Sequence, residues 1–67
     1  MNNDWIKQVI LRAIENAEEA PTIEDVVKAT GYSRPTVSKY LALLSAEGKV
    51  SVRIIGPAKL FKKTKEG

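Results

Sequence analysis

Thr22-Ile23-Glu24-Asp25-Val26-Val27-Lys28-Ala29-Thr30-Gly31-Tyr32-Ser33-Arg34-Pro35-Thr36-Val37-Ser38-Lys39-Tyr40-Leu41-Ala42-Leu43-Leu44 is the stretch that decides how this chain folds. Two short helical patterns flank Thr30-Gly31-Tyr32. Thr22 stands three residues before Asp25, the spacing of a capping box, and Glu24 and Asp25 lie at the positive end of the helix dipole. Ile23, Val26, Val27 and Thr30 supply the inward face of this helix, expected over residues 23–30. Gly31 stops it where the turn calls for positive φ. Ser33 then caps a second helix, and Pro35 falls in its first turn, where a missing N–H costs nothing. Val37, Tyr40, Leu41 and Leu44 recur on one face of that helix, expected over residues 34–47 and ended by Gly48. Opposite them lie Pro35, Lys39 and Ala42, with Thr36 and Ser38 on the flanks and Arg34 at the first turn. Short hydroxyls and two cations above an apolar underside suit a helix that lies in a DNA groove.

Upstream, positions 5, 6, 9, 10, 13, 14 and 17 fall within one half of a helical wheel drawn at 100° per residue, and all are apolar: Trp5, Ile6, Val9, Ile10, Ala13, Ile14 and Ala17. The pattern predicts a helix from Asp4 to Glu19, closed by Pro21. Its apolar arc is wider than the roughly 100° stripe that packs one core face. The surplus, with Leu11 further round, suits burial in a homodimer through Trp5, Ile6, Val9 and Ile14; an imperfect surface on a small protein accounts for it equally. Downstream the period changes to two. Val50-Ser51-Val52-Arg53-Ile54 alternates, Gly56-Pro57-Ala58 turns, and Lys59-Leu60-Phe61-Lys62-Lys63 returns, so a hairpin is expected over 50–55 and 59–63. A lone two-stranded hairpin is barely stable, so Val50, Val52, Ile54 and one of Leu60 or Phe61 should pack on the helices. Residues 64–67 are expected to form a loose tail.

With 67 residues the chain is expected to be one domain with a thin core. It has neither cysteine nor histidine, which excludes disulfides, Cys/His zinc sites, thiol catalysis and imidazole acid–base chemistry. No apolar run approaches the roughly 18 residues that span a bilayer, and Met1-Asn2-Asn3-Asp4 lacks the start of a secretory signal, so a cytoplasmic location without membrane contact is expected. The net charge of +3 is unevenly spread. Residues 1–32 carry three cations against six anions, −3, and residues 33–67 carry eight cations against two, +6. An acidic half followed by a basic half is the footprint of a small nucleic-acid binder.

The order helix, helix, turn, helix, hairpin, together with the quoted stretch, Glu47-Gly48-Lys49-Val50 and the basic hairpin, resembles a winged helix-turn-helix domain. The likeness is to ArsR-type and MarR-type transcription regulators, especially their compact archaeal relatives. It implies an α+β, mostly α, fold of three helices and a C-terminal two-stranded wing. In that family a glycine occupies the turn, as Gly31 does, and a branched apolar residue follows six later, as Val37 does. Val27, where many relatives have alanine, suggests a slightly altered crossing of the two helices.

The resemblance makes Ser33 to Ala42 the recognition helix, expected in the major groove of double-stranded DNA, and Arg53 to Lys62 the wing, expected on the backbone or in the adjacent minor groove. Ser33, Thr36 and Ser38 are donors short enough to reach phosphates or base edges, Pro35 starts the helix, and Arg34 can fork onto guanine or clamp a phosphate. Lys39, Arg53, Lys59, Lys62 and Lys63 complete the candidate DNA-binding set. No cofactor, metal or small-molecule ligand is expected. An enzyme reading lacks a nucleophile, a base and a phosphate-cradling loop. Two further readings are a winged-helix module that docks proteins, which would not need Arg34 and Lys39, and the DNA-reading domain of a longer regulator.

Overall fold

Thr22 forms the expected capping box: its Oγ1 accepts from Asp25 N at 3.2 Å while its own N–H donates to Asp25 Oδ2 at 3.1 Å. In the computed structural model, which describes residues 4–64, this cap opens the second of three helices: α1 (Asp4–Asn16), α2 (Ile23–Thr30) and α3 (Arg34–Ala46). Strands β1 (Val50–Ile55) and β2 (Ala58–Lys63) follow as an antiparallel hairpin. The expected winged-helix architecture is the one observed.

The core sits where the three helices meet the base of the hairpin. Ile10 and Ile14 come from α1, Val26 from α2, Val37, Tyr40, Leu41 and Leu44 from α3, and Val50 and Phe61 from the strands. Around them pack Ile6, Leu11, Ile23, Val27 and Tyr32. The hairpin is joined to the loop between α1 and α2 through Phe61 N, which donates to Pro21 O at 2.9 Å.

Four expectations need correction. The helix predicted to reach Glu19 ends at Asn16. Glu15, Glu18 and Glu19 repel the negative end of the helix, no basic residue stands in the last turn to offset them, and Pro21 draws Ala20 out of helical geometry. Of Val50, Val52 and Ile54, only the first is buried; exposure rises along the strand from 2% to 40% to 67%, because the helical body reaches only the base of the hairpin. Ile14 is 5% exposed and packed in the core, so it cannot belong to a dimer face. Thr64 is not loose, since its N–H donates to Lys49 O at 3.1 Å and its hydroxyl to Gly48 O at 2.7 Å; residues 65–67 of the expected tail lie outside the described residues. The remaining differences are small: α3 ends at Ala46, and β2 starts at Ala58, leaving Gly56-Pro57 as the two-residue loop.

Lys7 Nζ donates to Glu47 Oε2 at 2.6 Å, tying α1 to the end of α3. That bond, helped by the charges of Lys7 and Lys49, holds the Glu47 carboxyl below its ordinary value. A carboxyl depressed by folding adds stability at pH above its unfolded pKa, and the contribution is lost as pH falls through the folded value. The urea midpoint should therefore decline below roughly pH 4, and Lys7→Met should flatten that decline. Leu44, fully buried, should lose about 2–5 kcal/mol on truncation to alanine, and Thr22→Ala about 1 kcal/mol, both read from urea unfolding.

Candidate nucleic-acid interface

The turn before α3 aims the helix. Gly31 adopts φ 82°, and its N–H closes α2 on Val27 O at 2.8 Å. Any side chain there would carry the strain of the left-handed region. Thr30 bridges the same corner, its hydroxyl donating to Val26 O at 2.8 Å and accepting from Tyr32 N at 3.2 Å. Ser33 caps α3 in extended geometry, with Oγ accepting from Thr36 N at 3.3 Å and donating to Thr36 Oγ1 at 3.0 Å.

This capping arrangement consumes the proton of Ser33 and leaves the hydroxyl hydrogen of Thr36 as the donor of the pair. It also occupies most of the helix N-terminus: Thr36 and Val37 give their N–H groups to Ser33, and Pro35 has none. Little of the helix end is left open, and the exposed polar groups of α3 are mainly side chains. Arg34, Pro35, Ser38, Lys39 and Ala42 are exposed, and Thr36 is half-buried. Lys39 Nζ lies 5.5 Å from the centre of the Tyr40 ring, whose body belongs to the core.

Arg34 pairs with Glu24 of α2 across the turn. No spacing rule within a single helix reveals this contact; the sequence alone shows Glu24 only as a favourable charge at the start of α2. Both side chains are more than half exposed, so the pair holds Arg34 in place without adding much stability.

In the hairpin, cross-strand partners share a face. Val50 opposes Lys63, Val52 opposes Phe61 and Ile54 opposes Lys59 on the face turned to the helices; Ser51 opposes Lys62, Arg53 opposes Leu60 and Ile55 opposes Ala58 on the other. Lys59 joins Ser38, Ala42 and Val52 in lining a shallow groove between α3 and the hairpin. Arg53 and Lys62 lie on the outer face. Lys63, turned to the helices, pairs with Glu15 of α1. The predicted set is thus only partly gathered: Lys59 accompanies the α3 residues, Arg53 and Lys62 form a second group, and Lys63 points elsewhere.

Of the proposed dimer residues, Trp5 is 69% exposed and Ile6 and Val9 are half-buried. Trp5 and Val9 line a groove between α1 and α2 whose other walls include Ala13, Ala17 and Ala29. Among the described residues no cluster of acidic side chains can hold a metal ion, and no helix is long and apolar enough to cross a membrane.

Three helices with a glycine turn before an exposed, cationic third helix, and a basic hairpin beside it, define a winged helix-turn-helix DNA-binding domain. The chain belongs to the IclR helix-turn-helix domain family, which it matches over residues 9–53, from α1 into the wing. This makes it a DNA-binding domain of the transcription-regulator class; the match does not extend to the ArsR-type or MarR-type resemblance. No curated protein matches the chain. Among solved structures, that of human N-acetylserotonin methyltransferase in complex with SAM is similar, with a TM-score of 0.71 and 16% identity over 91% of this chain. The match covers 20% of that chain and is a likeness of fold alone.

Replacing Glu24 with glutamine should release Arg34 while changing stability by no more than about 0.5 kcal/mol. NMR of the Arg34 Nε–H group is the check: faster solvent exchange in the variant is expected, and unchanged exchange would show that the pair does not hold the side chain.

Proposed function

We propose that the protein is a cytoplasmic transcription regulator that binds double-stranded DNA sequence-specifically as a homodimer, with α3 in the major groove and the hairpin on the backbone or adjacent minor groove. The observation that carries this reading is the outward face of α3. It presents Arg34, Thr36, Ser38 and Lys39, and the helix contains no acidic residue. Arg34 is the candidate base reader, because a guanidinium can donate two parallel bonds to guanine O6 and N7. Lys39 and Lys59 suit the phosphates flanking the groove, and Arg53 and Lys62 a second run of backbone along the wing. Lys63, already paired with Glu15, is assigned a lesser part.

The dimer reading rests on α1. Trp5 stands at one end of the groove between α1 and α2, and small residues Ala13 and Ala17 line its other end. A two-fold axis near Val9 would set each tryptophan over the alanines of the other copy. Two recognition helices would then sit about one DNA turn apart, roughly 34 Å, and call for a palindromic site. Sedimentation at micromolar concentration should show a dimer that Trp5→Ala converts to monomer. A wild-type monomer on a single half-site would remove the dimer from the account.

Selection from random-sequence duplex DNA is the primary test, expected to enrich one motif. If each subunit meets four to five phosphates, log K should fall against log salt with a slope of about −4 per subunit. Arg34→Ala should cost about 1–3 kcal/mol and relax preference at one base position. Lys62→Ala should weaken all sequences alike and reduce the slope by about one, with Lys63→Ala doing less. A lack of enrichment combined with salt-independent or absent binding would favour protein docking instead.

A further inference from the structure

The wing does not end in charge. Ile54 is 67% exposed and Ile55 54%, on opposite faces of the hairpin end, and Gly56-Pro57 closes the loop beyond them. Gly56 has φ 58°, no described residue other than glycine has positive φ, and proline fixes the next φ negative; this is the pattern of a tight type II′ turn. The apolar end is therefore a narrow, stiff ridge. Nothing in the helical body covers it, since burial on that face has already fallen away at Val52. Cations surround it. Lys59 is directly opposite Ile54 on one face, and Arg53 shares the other face with Ile55. From Gly48 to Lys65 the sequence contains no acidic residue.

An apolar ridge ringed by cations and free of anions fits a polyanion that also offers an apolar slot. Stacked base pairs seen from the minor groove are such a partner: phosphates line both rims, and a branched side chain can wedge between base pairs, unstacking them and bending the duplex by roughly 20–90°. We propose that Ile54 and Ile55 form a wedge that enters the minor groove beside the site read by α3 and kinks the DNA, while Arg53 and Lys59 hold the phosphates on either rim. This rests on the DNA-binding reading and adds deformation to it. Sites with a flexible pyrimidine–purine step under the wing would then bind best, giving selectivity at positions where no side chain bonds a base edge.

The test uses the full chain and a duplex from the selection, with fluorophores at its ends and 2-aminopurine scanned through the flank beneath the wing. The wild-type protein should shorten the end-to-end distance and brighten 2-aminopurine at one step. The double variant Ile54→Ser with Ile55→Ser, altered only at exposed positions and checked for folding by circular dichroism, should still bind, roughly tenfold more weakly, on straight, stacked DNA. Arg53→Gln should lower affinity and salt slope while the bend persists. Straight DNA beneath bound wild-type protein, or an unchanged bend in the double variant, would overturn the wedge and leave DNA binding standing. Loss of self-association in the double variant with DNA geometry unchanged would overturn it in favour of a contact between copies. No binding by the wild-type protein would remove the underlying reading as well.

Discussion

Helix α3 is asked to be core and working surface at once, and the rest of the molecule is arranged around that constraint. Four of its 13 residues, Val37, Tyr40, Leu41 and Leu44, are buried against α1, α2 and the hairpin. A helix turns 100° per residue, so a slip of one position would turn Lys39 toward the core and Leu41 toward solvent. The burial of those four side chains therefore fixes the direction in which Arg34, Ser38 and Lys39 point. Gly31 fixes the entry into the helix, and Ser33 its first turn. No polar side chain is buried among the described residues, so orientation depends chiefly on apolar packing and the two caps.

Charge is distributed with the same economy. Glu15 takes Lys63, Glu24 takes Arg34, and Glu47 takes Lys7 and Lys49. Exposed pairs of this kind contribute little to stability. Their larger effect is on the field. Among the described residues of the basic half, the cations outside ion pairs are Lys39, Arg53, Lys59 and Lys62, all on α3 or the wing. Glu15, Glu24 and Glu47 thus mute the cations nearest the body and leave unpaired those on the outward face of α3 and, Lys63 apart, on the hairpin. Arg34 is the exception on α3, since it is held by the carboxylate of Glu24 across the turn.

Much of this was legible in the residues. Both caps, the glycine turn, the start of α3 and the change of period at Val50 are local signals, and each appears where local chemistry puts it. What escaped was set by geometry between elements. The 3.6-residue pattern runs through Ala17, but acidic residues at the negative end of the dipole and the following proline end α1 at Asn16. Alternation in β1 predicts one buried face, yet it carries no information on how far the helical body extends, and Val52 and Ile54 emerge uncovered. The Glu24–Arg34 pair spans a turn, and Ile14 could be placed in the core rather than on an outer face only once the other helices were in position.

Amide NMR of the 67-residue protein titrated with a selected duplex shows whether the α3 face and the wing are the surface that meets DNA. The largest shifts should fall on residues 33–42 and 53–62, with Ile10 and Leu44 nearly still. Shifts centred instead on Trp5, Val9 and Ala13 at equimolar duplex, with Ser33 to Lys39 unmoved, would contradict that assignment.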